Sequence, residues 1–284
     1  MIKKHILLIF IILLAGNLNA QAKNYKMVFV PASEKGDEND YTSLIAITEK
    51  LTGLNIDTVK VTDYNAAVEA MRAGRAHMAW YGGKTYVKAA EIANAEAFAA
   101  GVRPGEKDAG YYTYFVVKKN SKLKEFKDIK GKILSLNTIG STSGDLIPQV
   151  ELNKIKLSIQ NKDHFEKVFY AGSHDACLLA VLNDQSDVCG MSSRNFEARL
   201  EDGTFKKEDV RIIHKSDRVP PPPLAYSKMI PKEDREKIKQ AVLEAHKHGE
   251  IGGYGGKMSH YMEVKDSDYN VLREVIELLN KNKS

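Results

Sequence analysis

Short apolar and β-branched segments alternate along most of the chain with longer segments of helical periodicity. Residues 113–118 are mostly aromatic or β-branched, which is typical of a strand, whereas residues 64–73 space their apolar positions along one face of a helix. Short strands alternating with helices of about 10 to 15 residues predict an α/β architecture with helices on both faces of a sheet. Further strands are expected at residues 26–30, 56–61, 77–80, 134–136, 167–170, 188–191, 211–214 and 224–227. Further helices are expected at residues 41–51, 85–93, 175–182, 232–248 and 268–282, and from residue 143 onward.

The strand–helix pattern runs through once, starts again after the strand at 113–118, and is interrupted by the proline tract 220–223. This repetition predicts two lobes that are joined by more than one crossing of the chain. Lobe 1 is expected to comprise residues 23–116 and 226–284, and lobe 2 residues 117–225. Because ligands of such sheets bind outside the carboxyl ends of the strands, we expect the ligand cleft to lie between the lobes.

Residues 1–22 have the pattern of a secretory signal peptide. Two lysines precede an unbroken apolar run at residues 6–15, and the segment ends in Ala-Gln-Ala, so cleavage is expected after Ala22, with Ala20 as the alternative. A retained membrane anchor is the competing interpretation, but the apolar run is only about half of the roughly 20 residues that a spanning helix needs. The sequence therefore predicts export with cleavage.

The charge balance gives no support to a nucleic-acid partner. The chain has 42 Lys and Arg residues against 37 Asp and Glu, and the predicted cleavage removes two lysines and no acidic residue from a net charge of +5. The exported chain is then nearly balanced, and no basic block stands out along it. We expect no nucleic-acid binding.

A polar turn between a predicted strand and a predicted helix is the clearest candidate for an anion site. Residues 137–144 read Asn-Thr-Ile-Gly-Ser-Thr-Ser-Gly, which places Ser141, Thr142 and Ser143 at the start of the helix. Free backbone N–H groups and the positive end of the helix dipole converge at such a position, and the hydroxyls add further donors. A plain N-cap with a polar turn is the alternative.

Four further side chains stand at the ends of predicted elements. His174 lies in Ala-Gly-Ser-His-Asp, at a second corner between a strand and a helix, where it could donate to an anion. Tyr64 opens a helix, Tyr81 follows a strand, and Tyr111 precedes the strand that links the lobes. Phenol hydroxyls suit a site that is dry but must donate hydrogen bonds. A surface histidine and tyrosines used for packing are the alternatives.

Cys177 and Cys189 fall on a predicted helix and on the strand that follows it. In an oxidising compartment they could form a disulfide, and two buried thiols are the other possibility. No His and Cys stand at metal-ligand spacing, so we expect no metal and no cofactor. The chain has no Gly-x-Ser-x-Gly or His-Glu-x-x-His motif, and a dyad of Ser141 or Ser143 with His174 lacks an orienting group. We therefore expect no enzymatic activity.

Taken together, five short motifs resemble those of the phosphonate- and phosphite-binding proteins of bacterial ABC importers, in the same order and over essentially the whole exported chain. The motifs are Asp-Tyr at 63–64, Ala-Trp-Tyr-Gly at 79–82, Gly-Tyr-Tyr at 110–112, Gly-Ser-Thr-Ser-Gly at 140–144 and Gly-Ser-His at 172–174. The resemblance implies a two-lobed periplasmic binding protein of type II topology, with a mixed sheet and helices on both faces in each lobe. Such a protein is expected to act as a monomer, to close on a small oxyanion and to dock on a membrane permease.

Carried over residue by residue, the resemblance assigns the oxyanion contacts to Ser141, Thr142, Ser143 and His174. Tyr64 and Tyr111 match two tyrosines that close over the ligand. Tyr81 matches a tripeptide that lines the cleft, which is a weaker correspondence.

Two departures from the family pattern bear on the ligand. Aminoethylphosphonate binders hold the ammonium group with two carboxylates, but here Arg194 stands near the first position and prolines 220–223 occupy the second, while Glu197 is displaced by about one helical turn. The sequence therefore predicts an amine-free ligand: phosphite, a small alkylphosphonate such as methylphosphonate, or phosphate. Arsenate or selenate as the ligand, and a sensor that feeds a signalling receptor, remain alternatives.

Overall fold

A computed structural model describes residues 23–34 and 37–281, and the predicted signal peptide lies outside the described residues. The strands are β1 Asn24–Phe29, β2 Asn55–Val59, β3 Met78–Trp80, β4 Ala95–Val102, β5 Thr113–Lys118, β6 Ile133–Leu136, β7 Lys167–Tyr170, β8 Val188–Ser192, β9 Val210–Lys215, β10 Leu224–Ser227, β11 Ile251–Gly253, β12 Gly256–Met258 and β13 His260–Glu263. The α-helices are α1 Asp37–Asp40, α2 Thr42–Thr52, α3 Tyr64–Arg72, α4 Gly83–Ile92, α5 Ile147–Lys154, α6 His174–Leu182, α7 Ser193–Glu201, α8 Lys232–Glu244 and α9 Asn270–Lys281. A π-helical turn, Thr142–Leu146, precedes α5, and 3-10 turns occur at Phe126–Ile129, Ala245–Lys247 and Asp266–Tyr269.

Lobe 1 is built on a six-stranded mixed sheet in the order β13-β4-β10-β3-β1-β2. Strands β2 and β3 run parallel to β1, whereas β10 is antiparallel to both β3 and β4, and β13 is antiparallel to β4. Helix α2 packs against α8, and α3 packs against α4. The carboxyl ends of β1 and β3 therefore meet at one edge of the sheet, which faces lobe 2.

Lobe 2 is built on a five-stranded mixed sheet in the order β7-β6-β8-β5-β9. Strands β7 and β8 run parallel to β6, while β5 is antiparallel to β8 and β9. Successive side chains of β5 belong to different apolar clusters, with Phe115 and Val117 in one and Val116 in the other. Because neighbouring side chains of a strand point to opposite faces, this sheet is covered on both faces, as predicted.

The chain crosses between the lobes twice, before β5 and before β10. The crossing segments pair with each other through Tyr111 and Val219, whose backbone N–H groups each donate to the other's carbonyl, at 3.2 and 2.8 Å. The predicted lobe boundaries need a small correction. The boundary at 116 would cut through β5, which belongs wholly to lobe 2, and the boundary at 225 would cut through β10, which belongs wholly to lobe 1.

Strand β4, the second strand from one edge of the lobe 1 sheet, has no counterpart among the predicted elements. Its sequence, Ala-Glu-Ala-Phe-Ala-Ala-Gly-Val, is rich in alanine, a strong helix former that is uncommon in strands. Burial of the strand between β10 and β13 overrides that propensity. Helix α7 and the hairpin β11–β12 also have no predicted counterpart.

The two cysteines form a disulfide that joins helix α6 to strand β8, so the open question from the sequence is answered in favour of pairing. Both side chains are fully buried in lobe 2. Within the described part of the chain, none of the helices is both long enough and apolar enough to cross a membrane.

Candidate ligand-binding site

Two turns of lobe 2 come together at the carboxyl ends of the parallel strands β6 and β7. The Thr138 hydroxyl donates to the carbonyl of Gly172 at 2.6 Å, and the N–H of Gly172 donates to the carbonyl of Asn137 at 2.9 Å. These bonds hold the segment with the three hydroxyl residues beside the segment that carries His174. The site residues predicted for lobe 2 therefore share one corner of the fold.

Ser141 caps the helix that begins at this corner. Its Oγ accepts hydrogen bonds from the N–H of Gly144 at 3.0 Å and from Nδ2 of Asn137 at 3.3 Å. Both lone pairs of the oxygen are then occupied, and the hydroxyl proton is left to donate into the cleft. Gly144 is required here because a Cβ would lie 2.2 Å from Cβ of Asn137. The helix cap and the candidate anion site are thus one feature, and the two interpretations of the sequence do not exclude each other. We call the three hydroxyl residues Ser141, Thr142 and Ser143 the anion cradle.

The next two hydroxyls lie deeper in the corner. Oγ1 of Thr142 accepts the backbone N–H of Lys84 from lobe 1 at 2.9 Å, which leaves its proton free to donate elsewhere. Oγ of Ser143 lies 3.5 Å from Nε2 of His174, and the carbonyl of Ser143 accepts the Thr113 hydroxyl at 3.1 Å. Thr142 and Ser143 belong to the π-helical turn, a rare backbone form that often marks functional sites.

His174 is buried and uncharged. Its Nδ1 accepts the backbone N–H of Ser192 at 3.3 Å, which assigns the ring proton to Nε2, the nitrogen that faces Ser143. Burial lowers the pKa of His174 to about 3, so the ring remains neutral at physiological pH. The side chain thus presents a fixed N–H donor to the cleft without adding a charge.

Lobe 1 covers this corner with aromatic side chains. Tyr64 is the first residue of α3, which Asp63 caps, and it packs against Gly140. A Cβ added at Gly140 would lie 3.1 Å from the Cβ of Tyr64. Tyr111 is buried on the crossing segment, and burial raises the pKa of its phenol, a shift that hydrogen-bonding contacts with Ser143 and Thr142 oppose. Both tyrosines line the cleft beside the hydroxyl residues, and their closure over a ligand stays a prediction.

Tyr81 lies elsewhere, and its predicted place in the cleft needs correction. Its hydroxyl donates to the carbonyl of Ala67 at 3.2 Å, inside the core of lobe 1, and its side chain is fully buried there. Its chain neighbours, Trp80 and Gly82, line the cleft instead. Adjacent residues of an extended segment point in opposite directions, which separates Tyr81 from both neighbours.

The cleft narrows to a small cavity that is lined by residues of both lobes. Its lining comprises Ala32, Tyr64, Trp80, Gly82, Tyr111, Ser141, Thr142, Ser143, His174, Pro222 and Tyr254. Of these described lining residues, none carries a carboxylate, an ammonium or a guanidinium group. The wall is therefore made of neutral donors and aromatic surfaces, in a space smaller than the pockets that hold drug-sized ligands.

Trp80 and Tyr254 were absent from the site predicted by the sequence. Trp80 ends β3 at the cleft edge, and this position is a signal that could have indicated it. Tyr254 lies more than 140 residues beyond Trp80 in the chain, yet the two ring centroids are 4.7 Å apart. No local pattern predicts such a contact. The proline tract, in contrast, reaches the cavity through Pro222 at the position where the resemblance would place a carboxylate.

Arg194 does not face the ligand cavity. The prediction of an amine-free ligand rested partly on Arg194, and that part needs correction. Its guanidinium group donates to the carbonyls of Ala109 at 2.8 Å and Gly101 at 3.3 Å, on the lobe 1 side of the cleft. Glu197 is held by Arg103 at 2.8 Å and by the Tyr114 hydroxyl at 3.2 Å. Both side chains thus serve contacts between the lobes or within lobe 2.

The chain is similar to known proteins along most of its length. The family model described as "ABC transporter, phosphonate, periplasmic substrate-binding protein" matches residues 27–269. The chain belongs to this family. The proteins of this family are periplasmic, as its description states, and the match covers 61% of the length of the Escherichia coli relative described below. The predicted leader itself lies outside the described residues.

Named relatives of the phosphonate-binding family are similar over much of the chain. The phosphonates-binding periplasmic protein of Escherichia coli is 28% identical over 211 residues, which cover 72% of this chain and 61% of that relative. The phosphate-import protein PhnD of Mycolicibacterium smegmatis is 25% identical over 273 residues, which cover 89% of this chain and 85% of that protein. These relatives are substrate-binding transport proteins, in line with the expectation that the chain is not an enzyme.

Solved structures of the family share the fold. The binding component of an ABC phosphonate transporter from Pseudomonas aeruginosa superposes with a TM-score of 0.79 at 21% identity, covering 92% of this chain and 87% of that one. PhnD1 of Prochlorococcus marinus, in complex with methylphosphonate, has a TM-score of 0.77 at 20% identity, covering 91% of this chain and 99% of that one. The predicted two-lobed type II fold is confirmed.

Proposed function

We propose that the exported chain captures a small, amine-free phosphorus oxyanion and delivers it to an ABC permease, with phosphite, methylphosphonate and phosphate as the candidates. The observation that carries the proposal is the composition of the cavity wall. Hydroxyls of Ser141, Thr142 and Ser143 and the Nε2–H of His174 converge on this cavity. A tetrahedral anion offers several acceptor oxygens to such a cluster of donors.

Neutral donors suffice for an anion at this corner. The helix that begins at Ser141 contributes free backbone N–H groups and the positive end of its dipole. Burial in a space shielded from water strengthens each of these hydrogen bonds. The names of the relatives are consistent with this chemistry, since they bind phosphonates, import phosphate or, in one probable case from Prochlorococcus marinus, bind phosphite.

The same wall argues against a ligand that carries an amine. No carboxylate belongs to the described lining, and Pro222 occupies a place where the family resemblance would put one. An ammonium group closed into this cavity would lose its water without gaining a partner, at a cost of about 1–3 kcal/mol or more. The preference for amine-free anions therefore rests on Pro222 and on the lining as a whole, and not on Arg194.

Isothermal titration calorimetry of the protein without residues 1–22 tests the proposal. Phosphite, methylphosphonate, phosphate, arsenate, selenate and aminoethylphosphonate are compared at one pH. We expect one of the first three to bind most tightly, and aminoethylphosphonate at least about tenfold more weakly, which corresponds to about 1.4 kcal/mol. Tightest binding of aminoethylphosphonate would refute the argument from the cavity wall.

Delivery to a permease, rather than to a signalling receptor, is the role that membership of an ABC transporter family supports. Co-purification of the ligand-loaded protein with an ABC permease of the same organism tests this step. Binding to a membrane receptor in place of the permease would replace transport by sensing and would leave the ligand proposal intact.

A further inference from the structure

Trp80 lines the cavity, but the proposed contacts with the oxyanion give its side chain no role. It is the last residue of β3, beside Phe29 of the parallel strand β1, at the sheet edge that faces lobe 2. The side chain is 2% exposed, and its ring lies 4.7 Å from that of Tyr254 and 5.9 Å from that of Tyr41, measured between centroids. The indole forms part of the cavity wall.

The indole nitrogen of Trp80 is a buried donor that has no hydrogen-bond partner among the described residues. An indole N–H can only donate, so only an acceptor atom can satisfy it. The lobe 2 donors are differently placed, because Ser141, Thr142 and Ser143 each already contact other polar groups of the protein. Buried donors of native proteins are nearly always paired, and such an exception calls for an explanation.

We propose that the Nε1–H of Trp80 donates a hydrogen bond directly to an oxygen of the bound oxyanion. This inference rests on the proposed function, because it names a further contact of the same ligand. Trp80 belongs to lobe 1, whereas the three hydroxyls and His174 belong to lobe 2. An anion held by both sets of donors joins the two lobes, and the indole bond forms only when the cleft is closed. Trp80 therefore couples ligand binding to closure.

The chain contains a single tryptophan, so its indole N–H gives a single signal that needs no assignment. In the ¹⁵N-labelled protein without residues 1–22, we expect saturation with the tightest-binding of phosphite, methylphosphonate and phosphate to move that resonance downfield. A scalar coupling between the indole ¹⁵N and the ³¹P of the ligand would demonstrate the hydrogen bond itself.

Replacement of the tryptophan by its benzothiophene analogue, in which sulfur stands in place of N–H, removes the donor and keeps the shape of the ring. We expect the Kd of the oxyanion to rise about tenfold, with unchanged thermal stability of the free protein. Trp80→Phe is a second variant and should weaken binding at least as much. Tyr81→Phe is the matched control, because that side chain points into the core of lobe 1, and it should bind with unchanged affinity.

Two outcomes would overturn the inference and are distinguishable. If the natural protein binds an oxyanion and the benzothiophene form binds it equally well, Trp80 makes no hydrogen bond to the ligand, and the proposed function stands. If the natural protein binds none of the three anions, the proposed function fails and the inference fails with it.

Discussion

The ammonium group of Lys84, on helix α4 of lobe 1, forms an ion pair with the carboxylate of Asp145, on the π-helical turn of lobe 2. Asp145 is buried, and it also accepts the N–H of Gly140 at 3.1 Å and the Tyr170 hydroxyl at 2.8 Å. The backbone N–H of Lys84 at the same time donates to Thr142 at 2.9 Å. One residue of lobe 1 thus holds both ends of the turn that carries the anion cradle.

Replacement of Lys84 by Met should therefore weaken ligand binding without touching the cavity. The methionine keeps the apolar stem and the backbone N–H but loses the ion pair, which joins the lobes only when they are closed. We expect a loss of about 1 kcal/mol, or about fivefold in Kd. Stopped-flow measurements should show the change mainly in the dissociation rate, because the closed complex is the state that is destabilised.

Lys88→Met is the matched control, since Lys88 lies on the same helix but contacts Asn65 within lobe 1. It should leave both rate constants unchanged. If the two variants weaken binding equally, the weaker binding comes from the removal of any positive charge on this helix. The ion pair with Asp145 would then not stabilise closure.

Loss of a single cradle hydroxyl should weaken any oxyanion ligand. In Ser143→Ala the oxygen that faces Nε2 of His174 is removed, while the carbonyl that accepts from Thr113 remains. Hydrogen bonds to charged groups contribute about 1.5–3 kcal/mol, so calorimetry should report a loss of at least about 1.5 kcal/mol. Ser186→Ala in the same lobe is the control, because its hydroxyl donates to the carbonyls of Ile133 and Val188 and lies outside the cavity. Unchanged affinity of Ser143→Ala would place the cradle elsewhere.

The neutral state of His174 predicts how stability depends on pH. Its pKa is lowered to about 3 in the folded protein, against about 6.5 in an unfolded chain, so the unfolded state binds more protons between these values. The stability that this group contributes is fully present above pH 6.5 and is lost as the pH falls toward 3, by up to about 1.4 kcal/mol per pH unit.

Urea unfolding of the natural protein and of His174→Asn at pH 4, 5, 6 and 7 measures this contribution. The asparagine amide can accept the N–H of Ser192 in place of Nδ1 but does not titrate in this range. The natural protein should lose stability faster than the variant below pH 6.5. Parallel stability curves for the two proteins would mean that the pKa of His174 is the same in the folded and the unfolded state.

The disulfide between Cys177 and Cys189 should stabilise the part of lobe 2 that carries His174, because it ties α6 to β8. The double variant Cys177→Ala, Cys189→Ala should lower the free energy of unfolding by about 2–4 kcal/mol. Addition of a reductant should destabilise the natural protein and leave the double variant unaffected. A natural protein that unfolds identically with and without reductant would argue against the bond in solution.

Much of the site could be predicted from local sequence because local physics creates it. Ser141, Thr142, Ser143 and His174 stand at the starts of helices that follow parallel strands, and such positions share one edge of a sheet. Order along the chain was then enough to predict that these side chains lie together. The same reasoning placed the cleft between the lobes, although it misplaced each lobe boundary by a few residues.

Tertiary structure alone decided which side chains face the ligand. Trp80 and Tyr81 are neighbours of similar character, and the orientation of β3 sends one to the cavity and the other into the core. Arg194 was expected at the ligand, but the direction in which it leaves α7 takes it to the carbonyl of Ala109. Tyr254 enters from a hairpin that no local pattern predicts. Hydrophobic period and turn chemistry are set by near neighbours in the chain, whereas the direction that a side chain faces depends on packing partners from other elements of the fold.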